Sequence, residues 1–453
     1  MVIFRKDFCI YVQKSFLGVE RYMEIQRDYY LDKLIKRKNN GLIKVITGVR
    51  RCGKSYLLNN IFYNHLLKTK VEPDHIIRFA FDSAEDLILI GENLIHMQKE
   101  KRGVDPEKFL AYIRSKVIDG KMHYLLLDEV QMMDCFESVL NSYLRNDNLD
   151  VFVTGSNAKL LSKDIATEFA GRGDEVHMYP LSVEEFMSVY NGDRYMGLSE
   201  YMLYGGIPLI VLCTEADDKA SLLRNLFSEI YIRDICKRNH IRNTCELEEL
   251  LDVLSSSIGS LTNPEKLKNT FRTVKKSSIT SNTIKKYLDC LDDSFLIEAV
   301  QRYDIRGKAY IGTPKKYYFT DLGLRNARIH FRQIEQTHSM ENIIYNELRM
   351  RGYSVDVGVV TTAEKDREGR AVRKQLEVDF VCNLGNSRYY IQSAFSLPDE
   401  AKRIQVIRPF RKIGDSFKKI IITKDIVRPY YDDYGILTVN VYDFLLDKHI
   451  LER

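Results

Sequence analysis

Apolar and polar positions follow two rhythms along this chain. In the first 180 residues, short runs that are apolar almost throughout alternate with longer stretches of helical spacing. Leu42-Ile43-Lys44-Val45-Ile46-Thr47, His75–Asp82 (HIIRFAFD), Tyr124–Leu127, Asp150–Thr154 and Val176–Tyr179 read as strands, the last ended by Pro180. Residues 20–38, the run that opens at Tyr56, and residues 105–118 read as helices. Strands that are apolar on both faces and alternate with helices predict a parallel sheet covered on both sides. Such sheets take their ligands at the carboxyl ends of the strands.

Beyond residue 182 the rhythm changes. Residues 183–252 are helical in spacing, broken by Gly205-Gly206-Ile207-Pro208, and 246–300 read as several short helices. The polar stretch Ser277–Asn282 is a turn and helix cap, after which Thr283–Ser294 has apolar residues at helical spacing. Two strands, around Leu296–Tyr303 and Lys316–Thr320, are joined by a loop containing Gly307. Helices followed by a hairpin predict a winged helix. The last third reads as a helix at 340–351 and strands near 353–360, 375–382 and 388–394, then further alternation. The expected organisation is an α/β core over 1–182, a helical and winged-helix region over 183–325, and an α/β domain over 326–453.

The chemistry sits at the predicted strand ends. Gly48-Val49-Arg50-Arg51-Cys52-Gly53-Lys54-Ser55 fits GxxxxGK[ST], and it follows a strand and opens a helix at Tyr56. Glycines let the backbone curl so that its N–H groups face phosphate oxygens, and the helix N-terminus favours the anion. Lys54 then places its charge on the β and γ phosphates, and Ser55 supplies an oxygen to Mg²⁺. Tyr124–Leu127 ends in Asp128-Glu129, four apolar residues followed by two acids, the Walker B arrangement. Asp128 is expected to hold Mg²⁺ through water and Glu129 to orient the attacking water. ATP and Mg²⁺ are the implied cofactors.

Two further candidates follow from position. The strand at 150–154 runs into Thr154-Gly155-Ser156-Asn157, where Ser156 or Asn157 could sense the γ-phosphate; a capping turn is the alternative. Gly171-Arg172-Gly173 offers an arginine finger, in cis or on a neighbouring subunit; a surface arginine paired to Asp174 or Glu175 is the alternative. Arg50 and Arg51 can help hold phosphates or simply pack.

Composition narrows the setting. With 45% hydrophobic and 29% charged residues over 453 positions, the chain is globular, and a net charge of +5 permits nucleic-acid contact without requiring it. Cysteines at 9, 52, 135, 213, 236, 245, 290 and 382 form no CxxC pair, which predicts reduced, buried thiols in a cytoplasmic protein. No run of about 18 uncharged apolar residues predicts a membrane span, and no signal peptide is read at the N-terminus.

The strings GVRRCGKSYLL, LLLDEVQ, VTGSNAKLLS, FAGRGDEVHMYPLSVEEF and YGGIP resemble the AAA-type ATPases of bacteria and archaea that are fused to a C-terminal domain of unknown function. SSITSNTIKKYLDCLDDSFLI, RYDIRGK, KKYYFTDLGLRNA, ENIIYNELRMRGYSV, LEVDFVC and YYIQSAFSL extend the resemblance over residues 20–445. It implies an AAA+-like core, a winged helix and a restriction-nuclease-like final fold. Set against a PD-(D/E)xK site, Asp379 matches the first acid and Glu341 the helical acid, with Glu347 on the same helix. Gln392 stands where the second acid belongs and Ala394 where the lysine belongs, so the domain is expected to be an inactive nuclease relic unless a lysine such as Lys374 has moved in.

The resulting expectation is an ATPase that drives or gates conformational change on double-stranded DNA, with Lys275, Lys276, Lys285 and Lys286 at the recognition helix. The alternatives are a slow nucleotide switch that binds protein partners, and an ATP-gated DNA nuclease. A finger in trans would require a homo-oligomer.

Overall fold

The five apolar runs of the first 180 residues form one parallel sheet in the computed structural model, which describes residues 13–16, 19–22, 25–155, 171–275, 279–332, 335–365 and 371–452. Its strands are Ile43–Thr47 (β1), Ile76–Ala80 (β2), His123–Asp128 (β3), Leu149–Thr154 (β4) and Gly173–His177 (β5). They lie in the order 5-1-4-3-2, all parallel, as expected for a P-loop AAA+-like core. Every residue of β1 and β3 is buried, which only a sheet covered on both faces allows.

One face packs Leu125, Leu127, Val151 and Val153 against Phe79, Phe81 and Phe109. The Phe109 ring is 5.1 Å from Phe79 and 4.9 Å from Phe81. On the other face Phe152 meets Phe62 at 4.5 Å. Phe62 belongs to the helical run that starts at Lys54–Tyr56 and continues through a π-helical stretch, Leu57–Phe62, into Tyr63–Lys68.

Some boundaries differ from expectation. The first helix covers Asp28–Arg37 rather than 20–38, because Val19–Tyr22 pairs instead with Gln13–Phe16 as a short hairpin. Strand β2 starts at Ile76, since Pro73–His75 forms a 3₁₀ turn, and β5 starts at Gly173 rather than Val176. Of the described cysteines, all free thiols, Cys52, Cys236, Cys290 and Cys382 are buried, but Cys135 and Cys245 are exposed.

The chain divides into two compact units, Met1–Pro180 with Asp293–Phe295, and Leu181–Asp292 with Leu296–Arg453. The second begins with helices, among them Arg194–Tyr204, Ala216–Asn225 and Thr244–Ser256. In the helix Ser281–Asp293 the cap is the Thr280 hydroxyl, which accepts the Thr283 amide at 3.1 Å. Lys285 and Lys286 are exposed on that helix; Lys276 lies outside the described residues.

An eight-stranded mixed sheet follows: Ile297–Asp304 (β6), Ala309–Phe319 (β7), Ser354–Lys365 (β8), Ala371–Leu384 (β9), Ser387–Ala394 (β10), Lys418–Thr423 (β11), Tyr430–Tyr431 (β12) and Leu437–Asn440 (β13). Their order is 12-13-11-10-9-8-6-7. The hairpin expected as a wing is thus β6 and β7, and β6 also pairs in parallel with β8. The expected division at 325/326 falls inside this unit. Among the described residues no helix is long and apolar enough to cross a membrane.

Candidate nucleotide-binding site

The loop after β1 is shaped by its glycines. Gly48 has φ +136° and Gly53 φ +103°, both in the region glycine tolerates. At Gly48 a side chain is also excluded by space, because a Cβ would lie 2.0 Å from the Met178 carbonyl oxygen. Arg51 is the one non-glycine of the motif in the left-handed region, at φ +66°. The loop is braced from behind by Arg27, which donates to the carbonyls of Cys52 at 3.3 Å and Tyr179 at 2.7 Å. Buried Cys52 donates its thiol to the Met178 carbonyl at 3.4 Å.

Lys54 is buried, and its ammonium donates to the Gly48 and Val49 carbonyls at 2.8 and 3.0 Å. Beside it, the Ser55 hydroxyl donates to Asp128 Oδ1 at 3.0 Å. Adjacent strands bring in the rest. Asp128 is the last residue of β3, and Thr154, the last of β4, donates its hydroxyl to Asp128 Oδ1. The same Thr154 oxygen accepts the Glu129 amide at 3.1 Å. Glu129 stands at φ +53°, a left-handed conformation that costs a non-glycine residue roughly 1–3 kcal/mol and concentrates at functional sites. Gln131 donates its side-chain amide to the Glu129 carboxylate.

The structure therefore brings together Lys54, Ser55, Asp128 and Glu129. The Ser55 and Asp128 oxygens, 3.0 Å apart, are hard donors of the kind Mg²⁺ takes, directly or through water. Burial pushes the Asp128 carboxyl up to about 6, opposed by the Thr154 and Ser55 hydrogen bonds and assisted by the charges of Glu129 and Asp82. A buried carboxylate with that penalty is one that a cation would relieve.

The sign of the linkage is fixed. With its folded pKa above the unfolded one, Asp128 costs nothing while protonated in both states, and the penalty grows as pH rises from about 4 to about 6. Without nucleotide or Mg²⁺, Asp128→Asn is expected to stabilise the protein at pH 8 by up to about 3 kcal/mol and to change little below pH 4. Urea unfolding at the two pH values measures this.

Of the other candidates read from sequence, Ser156 and Asn157 lie outside the described residues. Arg172 is exposed at the start of β5, where its carbonyl accepts the Ile43 amide at 2.9 Å. Because β5 runs parallel to β1, that end of the sheet is some five residues, roughly 16 Å, from the end that carries the loop. Arg172 thus stands at the other end of its strand from the loop.

Two residues were missed. Thr154 closes the strand expected to lead into a sensor, and it holds both acids itself. Asp82 follows β2, and its carboxyl is raised first by burial and then by Glu129, with Arg50 opposing. The strand-end rule that found Asp128 would have found Asp82 too.

The second unit holds another acidic cluster. Glu341 accepts from the Lys316 ammonium at 2.9 Å and from the Tyr318 hydroxyl at 2.6 Å, and Lys316 also meets Glu377 at 2.7 Å. Burial alone would lower the Lys316 pKa, but Glu341, Asp379 and Glu377 together raise it well above the lysine norm. Asp379 is pushed up to about 7 by burial and the Glu341 charge, against the pull of Lys316.

Gln392 is part of the same cluster and holds the strand. It accepts the Asp379 amide at 2.7 Å and donates to the Glu377 carbonyl at 3.3 Å, two roles no single carboxylate fills. Ala394 packs in the apolar core with Val378, Val381 and Tyr390. Lys374 is exposed on β9, and Glu347 pairs with Arg351 at 2.7 Å. The lysine in this cluster is Lys316, which sequence spacing did not suggest because it comes from β7.

Fold and site define a P-loop nucleotide-binding protein. A family model described as an AAA domain matches residues 40–187, and another described as a domain of unknown function matches 196–335. An uncharacterised protein of Haemophilus influenzae is 34% identical over 431 residues, covering 93% of this chain and 98% of that protein. The chain belongs to the same family as that protein, and in this chain an AAA domain is followed by the second domain. An uncharacterised protein of Methanocaldococcus jannaschii is 27% identical over 444 residues, covering 94% of this chain and 89% of its own. Among solved structures, the Aeropyrum pernix ORC1 protein in complex with DNA is similar with a TM-score of 0.30 and 11% identity, covering 68% of this chain and 92% of that one.

Proposed function

We propose that this protein hydrolyses ATP to drive or gate a conformational change, and that it does so on DNA. The observation that carries the ATPase reading is the convergence of Ser55, Asp128 and Glu129 through Thr154 at the carboxyl ends of adjacent strands. In this reading Gly48, Val49, Arg50, Arg51, Cys52, Gly53, Lys54, Ser55 and Tyr56 form the phosphate cradle. Lys54 exchanges its carbonyl partners for phosphate oxygens. Ser55, and Asp128 through water, would hold Mg²⁺, which would neutralise charge on the phosphates. Glu129 orients the attacking water and accepts its proton. Arg172, far from its own loop, serves only a neighbouring copy. Ser156 and Asn157 keep the sensor role as an expectation.

The DNA part rests on Lys285 and Lys286, exposed on the helix that precedes β6, where they can grip phosphates. The test is ATP turnover of wild type and Lys54→Ala, with and without duplex DNA. Turnover that rises with DNA and disappears in the variant supports the reading; unchanged turnover and ATP binding in Lys54→Ala ends it. Slow turnover indifferent to DNA supports instead a nucleotide switch with protein partners.

A second reading, an ATP-gated DNA nuclease, is favoured by one observation: Lys316 supplies a lysine to Glu341, Glu377 and Asp379. Against it, the ammonium already neutralises the carboxylates that would hold Mg²⁺. Mg²⁺-dependent DNA cleavage by the wild type, lost in Asp379→Ala, would establish this reading; no cleavage leaves the cluster a structural one.

A further inference from the structure

At the opposite end of the ATPase sheet from the phosphate loop, the residues leading into β2 and β3 converge. His75, immediately before β2, Asp119, and His123, the first residue of β3, bring one potential ligand atom each within 4.8 Å of one another. Both histidines are buried, with their rings 4.6 Å apart, and Asp119 is exposed. We propose that His75, His123 and Asp119 form a binding site for a divalent transition-metal ion of the zinc class.

The hydrogen bonds outside the cluster carry the argument. His123 Nδ1 faces the Lys121 carbonyl at 2.9 Å, so that nitrogen carries the proton and Nε2 is left as the basic one. His75 Nδ1 lies 3.3 Å from the Glu72 carboxylate, which can accept its proton once an ion displaces the Nε2 proton that now faces Asp119. A carbonyl or carboxylate behind each ring, with Nε2 turned the other way, is the outer arrangement that metal-bound histidines use.

His75 Nε2 is 3.1 Å from both oxygens of Asp119, so the two first ligands are already near the spacing a tetrahedral ion imposes, about 3.4 Å. The remaining adjustment is at His123, whose Nε2 faces the Ile118 amide at 3.4 Å, a long contact that an ion would replace. The Lys121 ammonium, 3.5 Å from Glu72, bonds this outer acid rather than a ligand.

Two imidazoles and one carboxylate suit Zn²⁺ with a fourth position left for water. Because the ligands come from segments that precede neighbouring strands, the ion would clip β2 to β3 at the end away from the nucleotide. The site does not depend on the ATPase reading.

The test is titration of the chelator-treated full chain with Zn²⁺ in millimolar Mg²⁺, read by competition with a chromogenic chelator, together with the visible spectrum of the Co²⁺-loaded protein. One ion per chain with micromolar or tighter affinity, a tetrahedral Co²⁺ spectrum, and at least tenfold weaker binding in Asp119→Asn are expected. Asp119 is exposed, so its variant remains readable if His123→Asn fails to fold. Binding below one ion per chain, or wild-type affinity in Asp119→Asn, overturns the proposal. A Tm raised by Zn²⁺ equally in wild type and Asp119→Asn overturns it as well.

Discussion

Glu129→Gln is expected to lower ATP turnover by about 10²–10⁴-fold while ATP binding stays within a few-fold of wild type. The substitution keeps the shape of the side chain, and the Glu129 amide can still donate to Thr154. Only the charge proposed to orient water and take its proton is removed. Phosphate release and binding of a fluorescent ATP analogue separate the two effects. Wild-type turnover in Glu129→Gln would exclude Glu129 as the base and turn attention to Asp82, a carboxyl at the next strand end whose titration Glu129 influences. A variant that neither binds nor hydrolyses would mean that Glu129 shapes the loop rather than the chemistry.

Lys316→Ala is expected to cost about 3–5 kcal/mol of stability at pH 8, because it leaves Glu341, Glu377 and Asp379 as uncompensated, largely buried acids. The pH dependence follows from the direction of the shifts. Asp379 stands at about 7 even with the ammonium beside it. Removing the ammonium raises the folded Asp379 pKa further, so the penalty appears as pH climbs through and above the ordinary carboxylate range. At pH 5 the protonated cluster should recover part of the loss. Urea unfolding at pH 5 and pH 8 measures both. An equal loss at the two pH values would show that packing of the lysine stem, not charge, is what matters.

Chemistry that is contiguous along the chain is legible in the amino-acid sequence. Gly48–Ser55 and Asp128-Glu129 each lie in strings a few residues long, and the strands that present them are buried on both faces, so pattern and motif agree. What is not legible depends on strand order. Thr154 holds Asp128 because β4 lies beside β3, and Lys316 reaches Glu341 because β7 belongs to the later sheet. At the end of β4, Thr154 ties the two acids together, a role that only the pairing of β4 with β3 shows. Arg172 reads as a finger from its loop of glycines, and only the parallel pairing of β1 with β5 shows which end of the sheet it occupies. Gln392 looks like a lost acid; its amide in fact needs both its donor and its acceptor to hold β9.

The pairing of β6 with β8 has a bearing on how this protein can be divided and inherited. Val357, Gly358 and Val359 lie in register with Arg302, Tyr303 and Asp304, so the ladder that completes the later sheet is contributed from before residue 305. The matched region 196–335 ends between those partners. A chain cut there would carry away a hairpin with an open strand edge and leave the remaining sheet with another, both prone to self-association. Recombination that swaps this region alone would exchange half of one folding unit, so the portion that can be traded as a module runs on to the C-terminal strands.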